Sequence, residues 1–131
     1  MKKVFISYDY DEDRDYKNTL LMWSKNQSAY FSNFSFEDGS TDVSINSFDE
    51  AAIKRAISRR MNQCDVFLLL VGEKTHKSSW CNWEIEKAKE LGLILVAVKI
   101  SYSNTSPTGI YNAGATWAKS FTYQAISSAL E

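Results

Sequence analysis

Two carboxylates, two indoles, a thiol and two hydroxyls fall within nine residues in Ser78-Ser79-Trp80-Cys81-Asn82-Trp83-Glu84-Ile85-Glu86. On a helix, at about 100° per residue, Cys81, Ile85 and Ala88 define one inward stripe, and Glu84 falls at its edge on the side of Trp80. The spacing predicts a partly buried carboxylate sharing a face with an aromatic wall four residues earlier. Such a group can stabilise positive charge that develops on a substrate. Spacing alone nevertheless favours a plainer account, in which a Glu near a helix start answers the helix dipole and a Trp at the stripe edge packs.

The elements that must position this stretch follow from the apolar pattern. Val4-Phe5-Ile6, bounded by Ser7-Tyr8-Asp9, predicts a short buried strand. Five acids, Asp9, Asp11, Glu12, Asp13 and Asp15, then crowd the start of a helix whose apolar face is Tyr16, Leu20 and Trp23. Phe34-Ser35-Phe36 predicts a second strand that ends in the turn Glu37-Asp38-Gly39-Ser40. Ile53, Ala56, Ile57 and Met61 line a second helix, with Asp49 or Ser47 as its cap. Val66-Phe67-Leu68-Leu69-Leu70-Val71 is continuously apolar, as a strand covered on both faces should be, and Gly72 ends it.

The helix bearing Glu84 spans roughly residues 80–91, capped by Ser78 or Ser79 and stopped by Gly92. Residues 93–100 repeat the buried-strand pattern. Residues 101–114, rich in Ser, Asn, Thr and Gly, form a long loop around the only proline, Pro107. A short fifth strand within 115–119 and a closing helix over 122–131, with Ala125, Ile126 and Ala129 inward, complete the chain. This alternation predicts a three-layer, flavodoxin-like α/β fold, with a parallel sheet of four or five strands, helices on both faces, and one domain over residues 1–131. Ligands of such sheets bind beyond the carboxyl ends of the strands, near the point where strand order reverses. That rule selects residues 7–13, 38–47 and 72–84.

Composition excludes several classes of function. The 131 residues are 44% hydrophobic and 24% charged, as in a globular protein. A formal net charge of −1 gives no electrostatic reason to expect nucleic acid. The apolar runs are too short to span a bilayer and no export signal follows Met1-Lys2-Lys3, so a cytoplasmic chain without a membrane partner is expected. Cys64 and Cys81 are then expected as free thiols. His76 has no partner at ligand spacing, and the five glycines form no Gly-x-Gly-x-x-Gly run, so neither a metal site nor a Rossmann-type cofactor is expected.

Four segments carry a family likeness. Val4-Phe5-Ile6-Ser7-Tyr8-Asp9, Phe36-Glu37-Asp38-Gly39-Ser40, Leu68-Leu69-Leu70-Val71-Gly72 and Ser79-Trp80-Cys81-Asn82-Trp83-Glu84-Ile85 resemble, in order and spacing, the successive motifs of TIR and TIR-like domains. The resemblance covers residues 4 to about 100, and it is closest to the stand-alone TIR-like signalling enzymes of bacterial Thoeris anti-phage systems. It implies cleavage of the bond between nicotinamide and ribose in NAD⁺, a substrate here rather than a cofactor, with Glu84 at the position of the family's catalytic glutamate. It also implies substrate contacts from Ser7, Tyr8 and Asp9, in the loop on the nicotinamide side, and from Asp38 and Trp80. Phage infection, through an unidentified trigger, would switch on synthesis of a cyclic ADP-ribose-type signal for a separate effector protein. Self-association into a homo-oligomer through the segment 38–47 is one route to completing the cleft.

The chain departs from that family at one place. Many TIR domains are basic just after the Phe-Ile-Ser-Tyr strand, whereas this segment is acidic, so phosphate recognition does not carry over to it. Arg59, Arg60 and Lys74 are substitutes, although the two arginines fit a solvated helix face better. Ser7 as a turn cap, Tyr8 as core and Asp9 as a helix cap are equally good accounts of those residues. Two non-enzymatic alternatives stand beside the enzyme: a TIR-type interaction module and a receiver-like signalling domain. The receiver alternative lacks its phospho-accepting Asp, because Val71-Gly72-Glu73 closes the third strand and Asp65 sits at its opposite end.

Overall fold

The computed structural model describes residues 1–25, 31, 33–39 and 49–131. Most of the expected ligand segment 38–47, and Ser47 as a helix cap, lie outside the described residues. Five strands, β1 (Lys2–Ser7), β2 (Phe34–Asp38), β3 (Val66–Val71), β4 (Ile94–Lys99) and β5 (Thr116–Ala118), form one parallel sheet in the order β2-β1-β3-β4-β5. The described helices are α1 (Tyr10–Lys25), α2 (Glu50–Asn62), α3 (Ser79–Leu91) and α4 (Tyr123–Leu130). Strand order reverses between β1 and β3, which is where sheets of this winding place their ligands.

Alternation along the strands sorts the core into two layers. Val4, Ile6, Leu68, Leu70, Val96 and Val98 face α1 and α4, where they meet Leu20 and Ile126. Phe5, Phe67, Leu69, Val71, Leu95 and Ala97 face the other way, against Ile53, Ile57 and Met61 of α2 and Cys81, Ile85 and Ala88 of α3. Each fully buried aliphatic or aromatic side chain contributes about 1.5–3 kcal/mol, so these two layers carry the fold. All six residues of β3 are buried, as its unbroken apolar run requires. Cys64 and Cys81 are free and buried, and burial pushes their thiols up to about 11 and about 12 respectively.

Helix ends follow side-chain chemistry. Asp49 caps α2 by accepting from the Ala51 N–H, and Ser78, not Ser79, caps α3 by accepting from the Cys81 N–H. Gly92 ends α3 in the left-handed region at φ 73°, a conformation that costs a residue without Cβ nothing. The loop over 101–114 is packed rather than open. Its Ile110, in a single helical turn (Thr108–Ile110), is fully buried with the α2 and α3 layer, and Asn104 Nδ2 donates to the Val71 carbonyl at 2.9 Å.

The inward face of α1 differs in part from expectation. Its buried residues are Asp13, Lys17 and Leu20, spaced four and three apart, while Tyr16 is 40% exposed. Two charged residues therefore join Leu20 on the inward stripe; Trp23 packs against the core as expected, and of the three expected residues Tyr16 alone is turned outward. Asp13 departs from helical geometry at φ −116°, ψ 15°, and its carboxylate lies against Gly72, where any Cβ would collide with it. Thr75 Oγ1 accepts from the Gly72 N–H at 2.8 Å and lies 3.1 Å from Leu70 O and 3.4 Å from Asp13 Oδ2. Burial, reinforced by the neighbouring Asp9 charge, raises the Asp13 carboxyl to about 6.

Candidate functional site

Ser7 is the last residue of β1 and shares its face with Phe5, so its side chain turns toward α3. There Ser7 Oγ donates to Glu84 Oε1 at 2.6 Å. Ser7 is 1% exposed and Glu84 is 5% exposed. Glu84 is thus more deeply enclosed than its place at the stripe edge suggested, because the end of β1 closes over it. Burial pushes its carboxyl up to about 8; the Ser7 hydrogen bond pulls the other way, and the negative charge of Asp38 adds to the rise. Burial thus disfavours the ionised form of this carboxyl. A cation brought against it would draw the proton off, since opposite charge favours the ionised form.

One residue further on, the chain serves the opposite face. Tyr8 Oη donates to Asp38 Oδ1 at 3.1 Å, and Lys17 Nζ pairs with Asp38 Oδ2 at 3.0 Å while lying 5.5 Å from the centre of the Tyr8 ring. Asp38, at the end of β2, thus links α1 to the edge of the sheet. Lys17 is a site residue that the sequence did not reveal. The signal for it was its place on the Asp13–Leu20 stripe, which an apolar pattern search passes over.

The remaining candidates are placed differently. Asp9 Oδ1 accepts from the backbone N–H groups of Asp11 and Glu12 at 3.0 and 3.3 Å, the geometry of a helix cap. Trp80 is half-buried and packs edge-on to Trp83, with centroids 6.2 Å apart and planes at 83°. Lys74 pairs with Glu12 at 3.1 Å, which ties the loop before α3 to the start of α1. Arg59 is exposed. Asp65 lies at the amino end of β3, where its carboxylate accepts from the Lys3 N–H, and the receiver alternative gains no acid at the carboxyl end. Among the described residues, no group of three or more His, Cys, Asp or Glu side chains converges to hold a metal, and no helix is long and apolar enough to cross a membrane.

The solved structures of similar shape share the fold at low identity. A 2-deoxyribosyltransferase from Bacillus psychrosaccharolyticus matches with a TM-score of 0.67 at 9% identity, covering 91% of this chain and 87% of that one. The TIR domains of the activated Roq1 resistosome match with a TM-score of 0.51 at 13% identity, covering 79% and 61%. In sequence, a Bacillus cereus (strain MSX-D12) protein named "Putative cyclic ADP-D-ribose synthase ThsB1" is 29% identical over 119 residues. That match takes in 82% of this chain but spans only 59% of the relative's length. Residues 5–105 match the family described as Thoeris protein ThsB, TIR-like domain. With Ser7, Asp38 and Glu84 all inside the matched span, the chain belongs to the TIR-like ThsB family of Thoeris systems.

Proposed function

We propose that this chain cleaves the bond between nicotinamide and ribose in NAD⁺ and joins the ribose to another atom of the same nucleotide, forming a cyclic ADP-ribose-type signal. The observation that carries this reading is the enclosed Glu84 carboxyl, held by Ser7 at 2.6 Å beside the point where strand order reverses. Membership in the ThsB family and the name of the Bacillus cereus relative support the substrate and product class.

The chemistry suits a single carboxylate. Paired carboxylates serve most glycoside hydrolases because an alkoxide leaving group must be protonated. Nicotinamide instead leaves as a neutral pyridine, taking the electron pair of the C1′–N bond with it. The positive charge then passes to the ribose. Arrival of the cationic ring favours ionisation of Glu84, and the carboxylate stabilises the oxocarbenium-like charge as the bond breaks. A cleft that excludes water lets a nucleophile of the same molecule capture that cation at high effective concentration. Ser7 positions Glu84, and Tyr8, Asp38 and Trp80 shape the nearby edge. The signal acts on a separate effector, and the purified protein is expected to be nearly silent until infection.

The test compares small-molecule extracts of phage-infected cells carrying wild-type or Glu84→Gln protein, alongside purified protein incubated with NAD⁺. Products are resolved by chromatography and mass spectrometry. A cyclic ADP-ribose-type species present with wild type and absent with Glu84→Gln is expected. Linear ADP-ribose alone, or equal signal from both proteins, rejects the proposal.

A further inference from the structure

A cavity of about 450 Å³ opens at the carboxyl ends of β4 and β5, lined by Lys99, Tyr102, Ser106, Tyr111, Trp117 and Lys119 among others. That volume lies within the range of small-molecule sites. The cavity is not the Glu84 site, since neither Ser7 nor Glu84 lines it and β3 stands between β1 and β4.

Three features of this cavity call for the same ligand. The first is charge: among the described residues, two ammonium groups and no carboxylate line it, in a chain whose net charge is −1. Lys99 is held in place by donating to Asn104 O, with its Nζ 5.8 Å from the centre of the Tyr102 ring, and Lys119 is exposed. The second is a flat aromatic surface. Tyr111 and Trp117 stack with centroids 5.8 Å apart and planes at 28°, yet Tyr111 remains 51% exposed, so part of the stack faces water. The third is Ser106, which is 2% exposed while its Oγ has no hydrogen-bond partner among the described residues. A buried hydroxyl left unpaired is costly, and a polar ligand atom in the cavity would satisfy it.

Anion recognition, ring stacking and one buried hydrogen bond together describe a phosphorylated planar base. The geometry points to a second nucleotide site here, with the base on Tyr111 and Trp117, the phosphates between Lys99 and Lys119, and a polar atom against Ser106. Stacking on aromatic faces tolerates any base, so the site selects the nucleotide class more strongly than base identity.

Isothermal titration calorimetry of the full chain with ADP at low ionic strength tests this. ADP lacks the nicotinamide ribose, so the outcome is independent of whether Glu84 cleaves NAD⁺. Binding is expected to weaken tenfold or more in Lys119→Gln and in Tyr111→Ala, both substitutions at exposed positions that the fold should tolerate. Glu84→Gln should bind ADP as wild type does. Adenosine and inorganic phosphate should each bind at least tenfold more weakly than ADP, and added salt should weaken ADP but not adenosine. Amide chemical shifts of Ser106 and Trp117 should move on titration. Absence of ADP binding at millimolar concentration, binding untouched by both cavity variants, or loss of binding in Glu84→Gln overturns the assignment.

Discussion

Ser7 and Glu84 stand 77 positions apart in sequence, and the 2.6 Å hydrogen bond between them ties the end of β1 to the second turn of α3. Ser7 lowers the proton affinity of Glu84 while the Asp38 charge raises it. The carboxyl that we assign to catalysis is therefore poised between two neighbours that act in opposite directions.

Substituting those neighbours should separate their effects. Ser7→Ala removes the lowering influence and should move the rising limb of kcat/KM against pH upward, toward more alkaline values. Asp38→Asn removes a raising influence and should move the same limb downward. The pH dependence of NAD⁺ cleavage in activated preparations measures both, since kcat/KM reports the free enzyme. Shifts of the same sign would mean that a group other than Glu84 titrates.

Stability should also respond to pH with a definite sign. The Glu84 carboxyl is raised from 4.5 to about 8 and that of Asp13 from 3.8 to about 6. Each binds its proton more tightly when folded. Their contribution is fully present below the lower values and is lost as pH climbs through the folded ones. Glu84→Gln should therefore be more stable than wild type by a margin that widens from about pH 5 to pH 8 and then levels off. Urea unfolding across that range checks the trend, and a margin independent of pH would contradict the buried protonated carboxyl.

Lys17 offers a test of the second network. Its side chain is only 10% exposed where it pairs with Asp38, which is 31% exposed. Lys17→Met should cost about 1–2 kcal/mol, less than for a fully buried pair because Asp38 keeps some contact with water. The double variant with Asp38→Asn should lose less than the two single losses added together. Additive losses would show that the pair is not coupled.

Gly72 and Asp13 make a steric pair. A methyl group at Gly72 meets the Asp13 carboxylate, so Gly72→Ala should destabilise by about 1–3 kcal/mol. Truncating the opposing side chain in Gly72→Ala/Asp13→Ala should recover part of that loss relative to simple addition. Thermal unfolding of the three variants decides between this contact and a requirement for glycine in the backbone.

The strands, their parallel sense and both helix caps around Glu84 were legible in the sequence, because long apolar runs and Ser or Gly at helix ends have few other uses. The inward charges of α1 were not. Asp13 and Lys17 face inward only because Gly72, Thr75 and Asp38, distant in sequence, await them there, and no local pattern records that. For the same reason the pairing of Ser7 with Glu84 was invisible even though both residues were singled out. Ile110 was hidden by the polar, glycine-containing loop around it. Asp9 shows the reverse case, a residue whose cap geometry follows from its immediate neighbours alone.

Adjacent residues at the end of β1 serve networks on opposite sides of the sheet, Ser7 reaching Glu84 and Tyr8 reaching Asp38. The strand is also gripped from both edges at once, with Val4 paired to Phe36 of β2 and to Val66 of β3. Its length is therefore constrained by parity. Deleting one residue of β1 ahead of Ser7 would present the Tyr8 phenol to the carboxyl, and inserting one would carry the Ser7 hydroxymethyl to the ion-pair side. Changing the length by two would restore the faces but shift both groups by about 7 Å along the strand, out of reach of either partner. In this stretch, substitution should be tolerated more readily than a change in the number of residues, the opposite of the ordinary behaviour of chain segments that connect secondary structure.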